Sequence, residues 1–285
     1  MSDTIDAVVD AVASTAPEVR EGLAGRRRYE SEENPSGERQ LAADVYADDL
    51  LEERLLAIDD IGGYASEELD SVVRADDGGN HHVAVDPLDG SSNLRSNNTM
   101  GTLFAVYDEP LPASGRAVVA SGFVLYGPIT TMVVARDGTV TESVIDDDGD
   151  RSVVEAGVTL PDSPTVYGFG GRLPQWRGAF AAYASDVATE LKLRYGGAMI
   201  GDVNQVLTYG GIFGYPGLRN RPEGKLRLCF EGHPIAHIVE TAGGASSNGS
   251  GSLLASTPER LHERTPLFVG NDEYIERLEA ALDAN

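Results

Sequence analysis

Lysine is almost missing from this chain: Lys192 and Lys225 are the only two in 285 residues. Cysteine is rarer still. With Cys229 alone, neither an intrachain disulfide nor a two-thiol redox switch within one chain can form. Cys229 stands in the apolar run LRLCF and reads as a small buried hydrophobe. Long hydrophobic runs are absent too, which leaves no candidate for a membrane-spanning helix. The opening residues, MSDTIDAVVDAV, carry acid where a secretory leader would carry base, so a cytoplasmic protein is expected.

Acid fills the place that lysine leaves. Asp and Glu number 46 against 22 Lys and Arg, a net charge of −24 spread along the whole chain. Such a surface repels nucleic acid and anionic membranes, so neither is expected as a partner. A solvated acidic shell with lysine suppressed resembles proteins of salt-rich cytoplasm. It also poses a problem for any anionic ligand: bound cations or a few placed basic groups would have to reverse the sign locally.

Apolar residues make up 41% of the chain, enough for one large domain or two fused halves. Ile5, Val8, Val9 and Val12 recur at helical spacing. Thr15 and Pro17 predict a break, with a second helix carrying Val19 and Leu23. RRRYESEENPSGERQ is polar and turn-rich and reads as a loop, with Arg26, Arg27 and Arg28 as a solvated charge run. Leu41, Val45, Leu51, Leu55 and Leu56 mark a longer helix. IGGYAS, SVVRA, HHVAVD, GTLFAVYD and RAVVASGFVLYG are spaced like strands, and ITTMVVARDGTVTESVI predicts a hairpin turning at Asp137-Gly138. Pro161 to Pro164 make a junction, dividing the chain into halves 1–160 and 161–285. The second half reads strand TVYGF, helix 175–190, a strand, a helix from Asp202, strands GGIFGY and KLRLCF, a helix from Pro234, strand PLFVG and a helix from Asp272. The alternation is too irregular for a simple doubly wound sheet, so the expected fold is a layered α/β sandwich with mixed sheets.

The sharpest feature is VAVDPLDGSSN, Val83 to Asn93. An apolar run ends at Asp86 and turns at once, and strand ends are where α/β proteins place ligand sites. Asp86 and Asp89, three apart on a tight turn, can converge on one point, as carboxylates do on Mg²⁺. The backbone N–H groups and hydroxyls of Gly90, Ser91, Ser92 and Asn93 could cradle a phosphate beside them. Upstream, SEEL puts Glu67 and Glu68 at another strand end. Downstream, GKLRLCFE delivers Glu231 at the end of an apolar strand. Read alone, Glu67 and Glu68 are as well explained by a solvated pair, and Asp44 and Asp49 by a polar helix face. The five histidines show no ligand spacing and read as structural. IDDDGD prompts a calcium loop, but counting from Asp146 puts Arg151 where the glycine must stand, so that reading fails.

VAVDPLDGSSN resembles the signature of the fructose-1,6-bisphosphatases, within the wider lithium-sensitive phosphatase superfamily. Inositol monophosphatases of that superfamily typically carry Thr where this chain has Ser91. The likeness runs from about Gly37 to Gly249, taking in GERQLAADVYADDLL, RYGGAMIGDVNQVLTYGGIFGYP and HPIAHIVETAGGASSNG. It implies an αβαβα order of layers and hydrolysis of a sugar phosphate by water activated at two or three Mg²⁺, with Mn²⁺ able to substitute. Glu67, Asp86, Asp89, Glu231 and the Leu88 carbonyl are then metal ligands. Asp49 and Glu68 activate the water, and Asp44 is a second acid of the same loop. Lys225 binds a substrate phosphate, with Tyr195, Met199 and Tyr215 around the sugar and its distal phosphate. Arg194 reaches the site of a neighbouring subunit in a homotetramer or homodimer. Two departures stand out. The family's Asn-Glu pair for the distal phosphate is missing at YGFGG, Tyr167 to Gly171. Asn80 and His81 stand where AMP-sensitive relatives carry a Lys-Tyr pair, so AMP is not expected to inhibit. The rivals are an inositol monophosphatase, a sedoheptulose or dual-specificity bisphosphatase and, outside enzymes, an inactive phosphosugar-binding protein.

A net charge of −24 predicts dependence on salt. Self-repulsion opposes the compact state and is screened as the Debye length shrinks to ~3 Å at 1 M. Melting temperature and activity should both fall as salt is diluted. Full activity and an unchanged melting temperature in dilute buffer would refute this.

Overall fold

The computed structural model describes residues 2–35, 37, 39–75 and 78–283. The chain opens with α1 (Ser2–Leu23), then β1 (Tyr29–Glu33), β2 (Arg39–Leu41), α2 (Ala42–Leu56), β3 (Ile61–Ser66), β4 (Val73–Arg74) and β5 (His81–Asp89). A run of strands follows: β6 (Met100–Tyr107), β7 (Val118–Tyr126), β8 (Thr130–Arg136), β9 (Thr139–Ile145) and β10 (Arg151–Ala156). Beyond it lie β11 (Val166–Phe169), α3 (Gly178–Glu190), β12 (Lys192–Leu193), α4 (Met199–Tyr209) and β13 (Gly211–Tyr215). The chain ends with β14 (Leu226–Arg227), α5 (His233–Thr241), β15 (Ala245–Ser247), β16 (Arg264–Thr265), β17 (Leu267–Gly270) and α6 (Asp272–Asp283).

Eight strands form one sheet in the order β10-β9-β8-β7-β6-β5-β3-β4, and five form a second, β12-β11-β13-β17-β15. Both are mixed. β3 runs parallel to β5 in the first, and β11 runs parallel to β12 and β13 in the second. The two-residue period of the strands sorts the core. On β6, Phe104 and Val106 face α1 and α2, whose Val8, Val12, Ala47 and Leu51 close that side. Leu103, with Phe123 and Val133 of the neighbouring strands, faces the opposite way onto α4 and α5. Those two helices are covered in turn by Phe213 and Val269 of the second sheet. Phe180, Val187 and Leu278 of α3 and α6 cover its outer face with Ile212 and Phe268. The layers therefore run αβαβα, as expected. Among the described residues no helix is long and apolar enough to cross a membrane.

Three local expectations are corrected. Pro17 does not end the first helix. Val8, Val12, Ala16 and Val19 form one continuous buried stripe, and its packing outweighs the ~3 kcal/mol that an interior proline costs. Within the predicted loop, Tyr29–Glu33 and Arg39–Leu41 pair as an antiparallel ribbon. Ser36 and Glu38 of that loop lie outside the described residues. KLRLCF is not a strand throughout: pairing stops at Arg227, and Leu228–Gly232 wind into a π-helical turn. The hairpin is as read, with Asp137 and Gly138 at φ 50° and 70°.

The buried Tyr107 hydroxyl ties the large sheet to that π turn. It donates to the Cys229 carbonyl at 2.9 Å and lies 3.1 Å from His233 Nδ1. Tyr107→Phe leaves that carbonyl buried without its donor, so it should cost about 1–2 kcal/mol. Guanidinium unfolding should show a lower midpoint. An unchanged midpoint would remove Tyr107 from this role.

Candidate active site

Three carboxylates meet where the large sheet and the π turn come together. Oxygens of Glu67, Asp86 and Glu231 lie within 4.8 Å of one another, all in buried residues. Each arrives by a different route. Glu67 leaves the end of β3, its N–H donating to Val85 O at 3.0 Å, which sets it beside Asp86 on the parallel neighbour. Glu231 sits in the π turn and accepts from the Arg227 N–H at 2.6 Å.

Asp86 and Asp89 do not stand on a free turn, because β5 continues to Asp89. Asp86 pairs with Leu103 and Asp89 with Gly101, so Pro87 and Leu88 face Thr102 alone. That is a β-bulge. In a regular strand, residues three apart point to opposite faces, and the extra residue restores Asp89 to the face of Asp86. Thr102 Oγ1 pins the bulge by donating to Pro87 O at 2.9 Å. Asp86 accepts from the Leu88 N–H at 3.0 Å, and Asp89 from the Ile200 N–H at 2.9 Å, in the first turn of α4. Gly90 follows at φ 75°, where a Cβ would come within 2.2 Å of Ala198 Cβ.

Burial dominates the electrostatics. It lifts Asp86 well above the ordinary carboxylate range, helped by Glu67, Asp89 and Glu231. Glu231 is pushed up to about 8, by burial first and then by Glu67. Asp89 rises to about 6 through burial, opposed by the Ile200 N–H and by Lys225. Arg227 is the cation among them, with Nη1 2.8 Å from Glu67 and 3.8 Å from Glu231. Its one charge leaves the four carboxylates in excess. A converging set of hard oxygen donors with surplus negative charge fits a divalent cation.

A cavity of ≈ 420 Å³ opens over this centre. Asp44, Glu68, Gly90, Ser91 and Ser92 line it, with Leu88 and Lys225 alongside. Burial raises Asp44 to about 7, partly offset by the Leu41 N–H it accepts at 2.7 Å. Burial and then Asp44 and Glu67 raise Glu68 to about 8. A second cavity of ≈ 400 Å³ adjoins, sharing Lys225 and lined also by Tyr215, Arg172 and Arg221.

The structure does not bring every candidate to the cavity. Asp49 is exposed and outside it. Asp44, Ala47, Asp48 and Leu51 share the buried stripe of α2, and a residue five after Asp44 falls on another face. Asn93 serves structure, donating to Thr99 O at 2.8 Å and Gly196 O at 3.0 Å. Met199 is core, at 1% exposure. Arg194 is exposed and donates to Gln205 at 3.0 Å. The Tyr195 and Tyr215 hydroxyls lie 2.9 Å apart, and the Lys225 ammonium is 5.3 Å from the Tyr215 ring.

Three residues escaped the sequence reading. Arg227 had a signal, since Lys225 and Arg227 alternate with Leu226 and Leu228 as one polar face. Asp48 accepts from the Tyr64 hydroxyl at 2.6 Å beneath the site. Asp202 lies in the first turn of α4, which starts at Met199, and accepts from the N–H groups of Gly196 and Gly197 at 2.6 and 3.3 Å. Neither of those pairings has a sequence signature.

Comparison with known proteins agrees with this geometry. The family model described as "Fructose-1-6-bisphosphatase, N-terminal domain" matches residues 8–153, and "Fructose-1-6-bisphosphatase, C-terminal domain" matches residues 160–283. The chain is 75% identical over 282 residues to a protein of Natronomonas pharaonis named "Fructose-1,6-bisphosphatase class 1", covering 99% of this chain and 100% of that one. A protein of the same name from Halobacterium salinarum is 60% identical, covering 99% of this chain and 98% of its own length. Among solved structures, the holo form of Leishmania major fructose-1,6-bisphosphatase superposes with a TM-score of 0.90 at 28% identity, over 97% of this chain and 92% of that one. Sequence and fold agree along nearly the whole length, and the chain belongs to the fructose-1,6-bisphosphatase family.

Proposed function

We propose that this protein hydrolyses the 1-phosphate of fructose-1,6-bisphosphate, giving fructose 6-phosphate and inorganic phosphate. The observation that carries the reading is the buried Glu67, Asp86 and Glu231 triad, opening into one cavity with Asp44, Glu68 and the Gly90–Ser92 turn. Relatives of 75% and 60% identity bear the matching name.

Two or three Mg²⁺, replaceable by Mn²⁺, suit the donors Glu67, Asp86, Asp89, Glu231 and the Leu88 carbonyl, and supply positive charge to the phosphoryl oxygens when bound. The chain's own groups do the rest. Raised to about 7 and 8, Asp44 and Glu68 have proton affinities suited to taking a proton from water near neutral pH. That puts Asp44 in the role the sequence had assigned to Asp49. Gly90, Ser91 and Ser92 offer N–H and O–H donors to the phosphoryl oxygens, where charge builds in the transition state. Arg227 holds the Glu67 carboxylate in place. Lys225, Tyr215 and Tyr195 stand on the sugar side. Side chains from 1–160 and 161–285 line the same cavity, so the two halves act as one catalytic unit. Arg194, exposed and outside both cavities of its own chain, is available to a neighbouring subunit in a homodimer or homotetramer.

Phosphate release in high salt tests this. With Mg²⁺ the protein should hydrolyse fructose-1,6-bisphosphate well ahead of inositol 1-phosphate, and a chelator should abolish the reaction. Asp44→Asn should lower kcat by roughly 100-fold or more, the usual weight of a general base. Asp49→Asn should stay within about twofold, since an exposed side chain outside the cavity touches no reacting atom. A faster reaction with inositol 1-phosphate would overturn the substrate, and a silent Asp44→Asn would overturn the base.

A further inference from the structure

Asp202 is a buried carboxylate to which the proposed mechanism gives no task. It lies in the first turn of α4 at 3% exposure, and among the described residues it has no ion pair. In a polyanion such a group is costly twice over, through lost hydration and through repulsion from the acids around it. An apolar side chain beside Met199, Val203 and Val206 would avoid both costs. The partners of Asp202 are two main-chain donors ahead of the helix, Gly196 N–H at 2.6 Å and Gly197 N–H at 3.3 Å. Burial raises Asp202 to about 6 and these two N–H groups oppose the rise, so it is ionised at pH 8.

The peptide joining Gly196 to Gly197 is gripped at both ends. Its N–H, on Gly197, faces Asp202. Its carbonyl, on Gly196, accepts from Asn93 Nδ2 at 3.0 Å and from Asn98 Nδ2 at 2.9 Å. Polarising one end of a peptide strengthens the bonds at the other. Both asparagines follow the Gly90–Ser92 turn, which the mechanism gives to the phosphoryl oxygens. Asn93 N–H closes that turn by donating to Gly90 O at 2.8 Å, and Asn98 N–H donates to Asn93 O at 3.1 Å. Asn93 Nδ2 also reaches Thr99 O at 2.8 Å. On the other side, Gly90 packs against Ala198 too closely for any side chain, and Ile200 N–H holds Asp89 at 2.9 Å. The path therefore closes on itself: Asp89, Gly90, Asn93, Gly196, Asp202, and back through α4 to Asp89. Gly197 is fixed within it, at φ 87° and with room for a Cβ only 3.3 Å from Asn93 Oδ1.

We propose that Asp202 is a positioning residue for the reaction: through the Gly196–Gly197 peptide and Asn93 it holds the Gly90–Ser92 turn where its donors meet the phosphoryl oxygens. The inference rests on the function proposed above and adds a residue to it. Asp202 lines neither cavity, so it acts through its neighbours. Donor counting makes the carboxylate specific. Two N–H groups fixed in the main chain point at it and cannot turn away. Asn in its place presents an amide NH₂ to one of them, donor against donor. Donors placed for the transition state lose most when they shift. Ground-state binding, which the metals and the sugar side also supply, changes less, so kcat falls more than KM rises.

Asp202→Asn tests this at pH 8 in high salt with Mg²⁺, well below the melting temperature. Its kcat for fructose-1,6-bisphosphate should fall at least about 10-fold, with KM within about threefold. Asn93→Ala acts on the same peptide, so the double variant should lose no more than about twofold beyond the worse single one. Hydrogen exchange, followed by NMR at the Asn93 amide, should speed up at least about 10-fold in Asp202→Asn, although Asp202 does not touch that amide. A merely structural loss would lower the melting temperature and leave the kcat of the folded enzyme intact. Unchanged exchange at Asn93, a kcat within about twofold of wild type, or additive losses would each overturn the proposal. Should the wild type hydrolyse no phosphate ester, the catalytic reading falls, and exchange at Asn93 still decides whether Asp202 holds the turn.

Discussion

Mutual repulsion among buried carboxylates is the constraint around which this structure is organised. Glu67, Asp86 and Glu231 come within 4.8 Å of one another, with Asp89 on the same face of β5. Left alone, such groups move apart or take up protons. Here the backbone prevents the first. A bulge on β5 holds Asp86 and Asp89, and a parallel strand end and a π turn hold Glu67 and Glu231, by hydrogen bonds to main-chain N–H groups or through a main chain already paired. These are irregularities of secondary structure, and they gather at the site because regular strands cannot aim carboxylates three apart at one point.

The surrounding layers keep these irregularities from relaxing. β5 lies between β6 and β3, well inside the eight-stranded sheet. Tyr107, on β6, anchors the π turn through the Cys229 carbonyl. The first turn of α4 supplies the Ile200 N–H to Asp89, and its Asp202 ties down the glycines ahead of it. Asn93 then joins Gly196 to the turn behind Asp86 and Asp89. The Gly90–Asn93 turn and the glycines ahead of α4 are thus coupled through a short polar network. On a protein of net charge −24, basic groups line both cavities: Arg227 and Lys225 at the acids, and Arg172 and Arg221 with Lys225 in the adjoining one.

The fold was legible because its signals were periodic. The apolar runs of β6 and β7, the alternation of β8 and β9 about the Asp137-Gly138 turn and the existence of α2 all follow from side-chain spacing. The carboxylates were legible because their motifs are short and local. What spacing could not supply was orientation. Asp44 and Asp49 both sit on α2, and only the packed helix shows which one faces the cavity. Pro17 misled because tertiary burial overrode local propensity. Asn93 and Met199 belong to matching motifs but turn to Gly196 and to the core.

The central claim is that the acids are held in opposition to their own repulsion until cations bind. The most direct test is the melting temperature of wild type and Asp86→Asn at pH 8 in high salt, with chelator and with Mg²⁺. An amide cannot ionise and so adds nothing to the repulsion, and its oxygen can still accept from the Leu88 N–H. Without metal the variant should therefore melt no lower than wild type. Mg²⁺ should raise the wild-type value, as any ligand of the native state does, and leave the variant nearly unmoved. A variant that melts several degrees lower in chelator, or a wild type indifferent to Mg²⁺, would contradict the account.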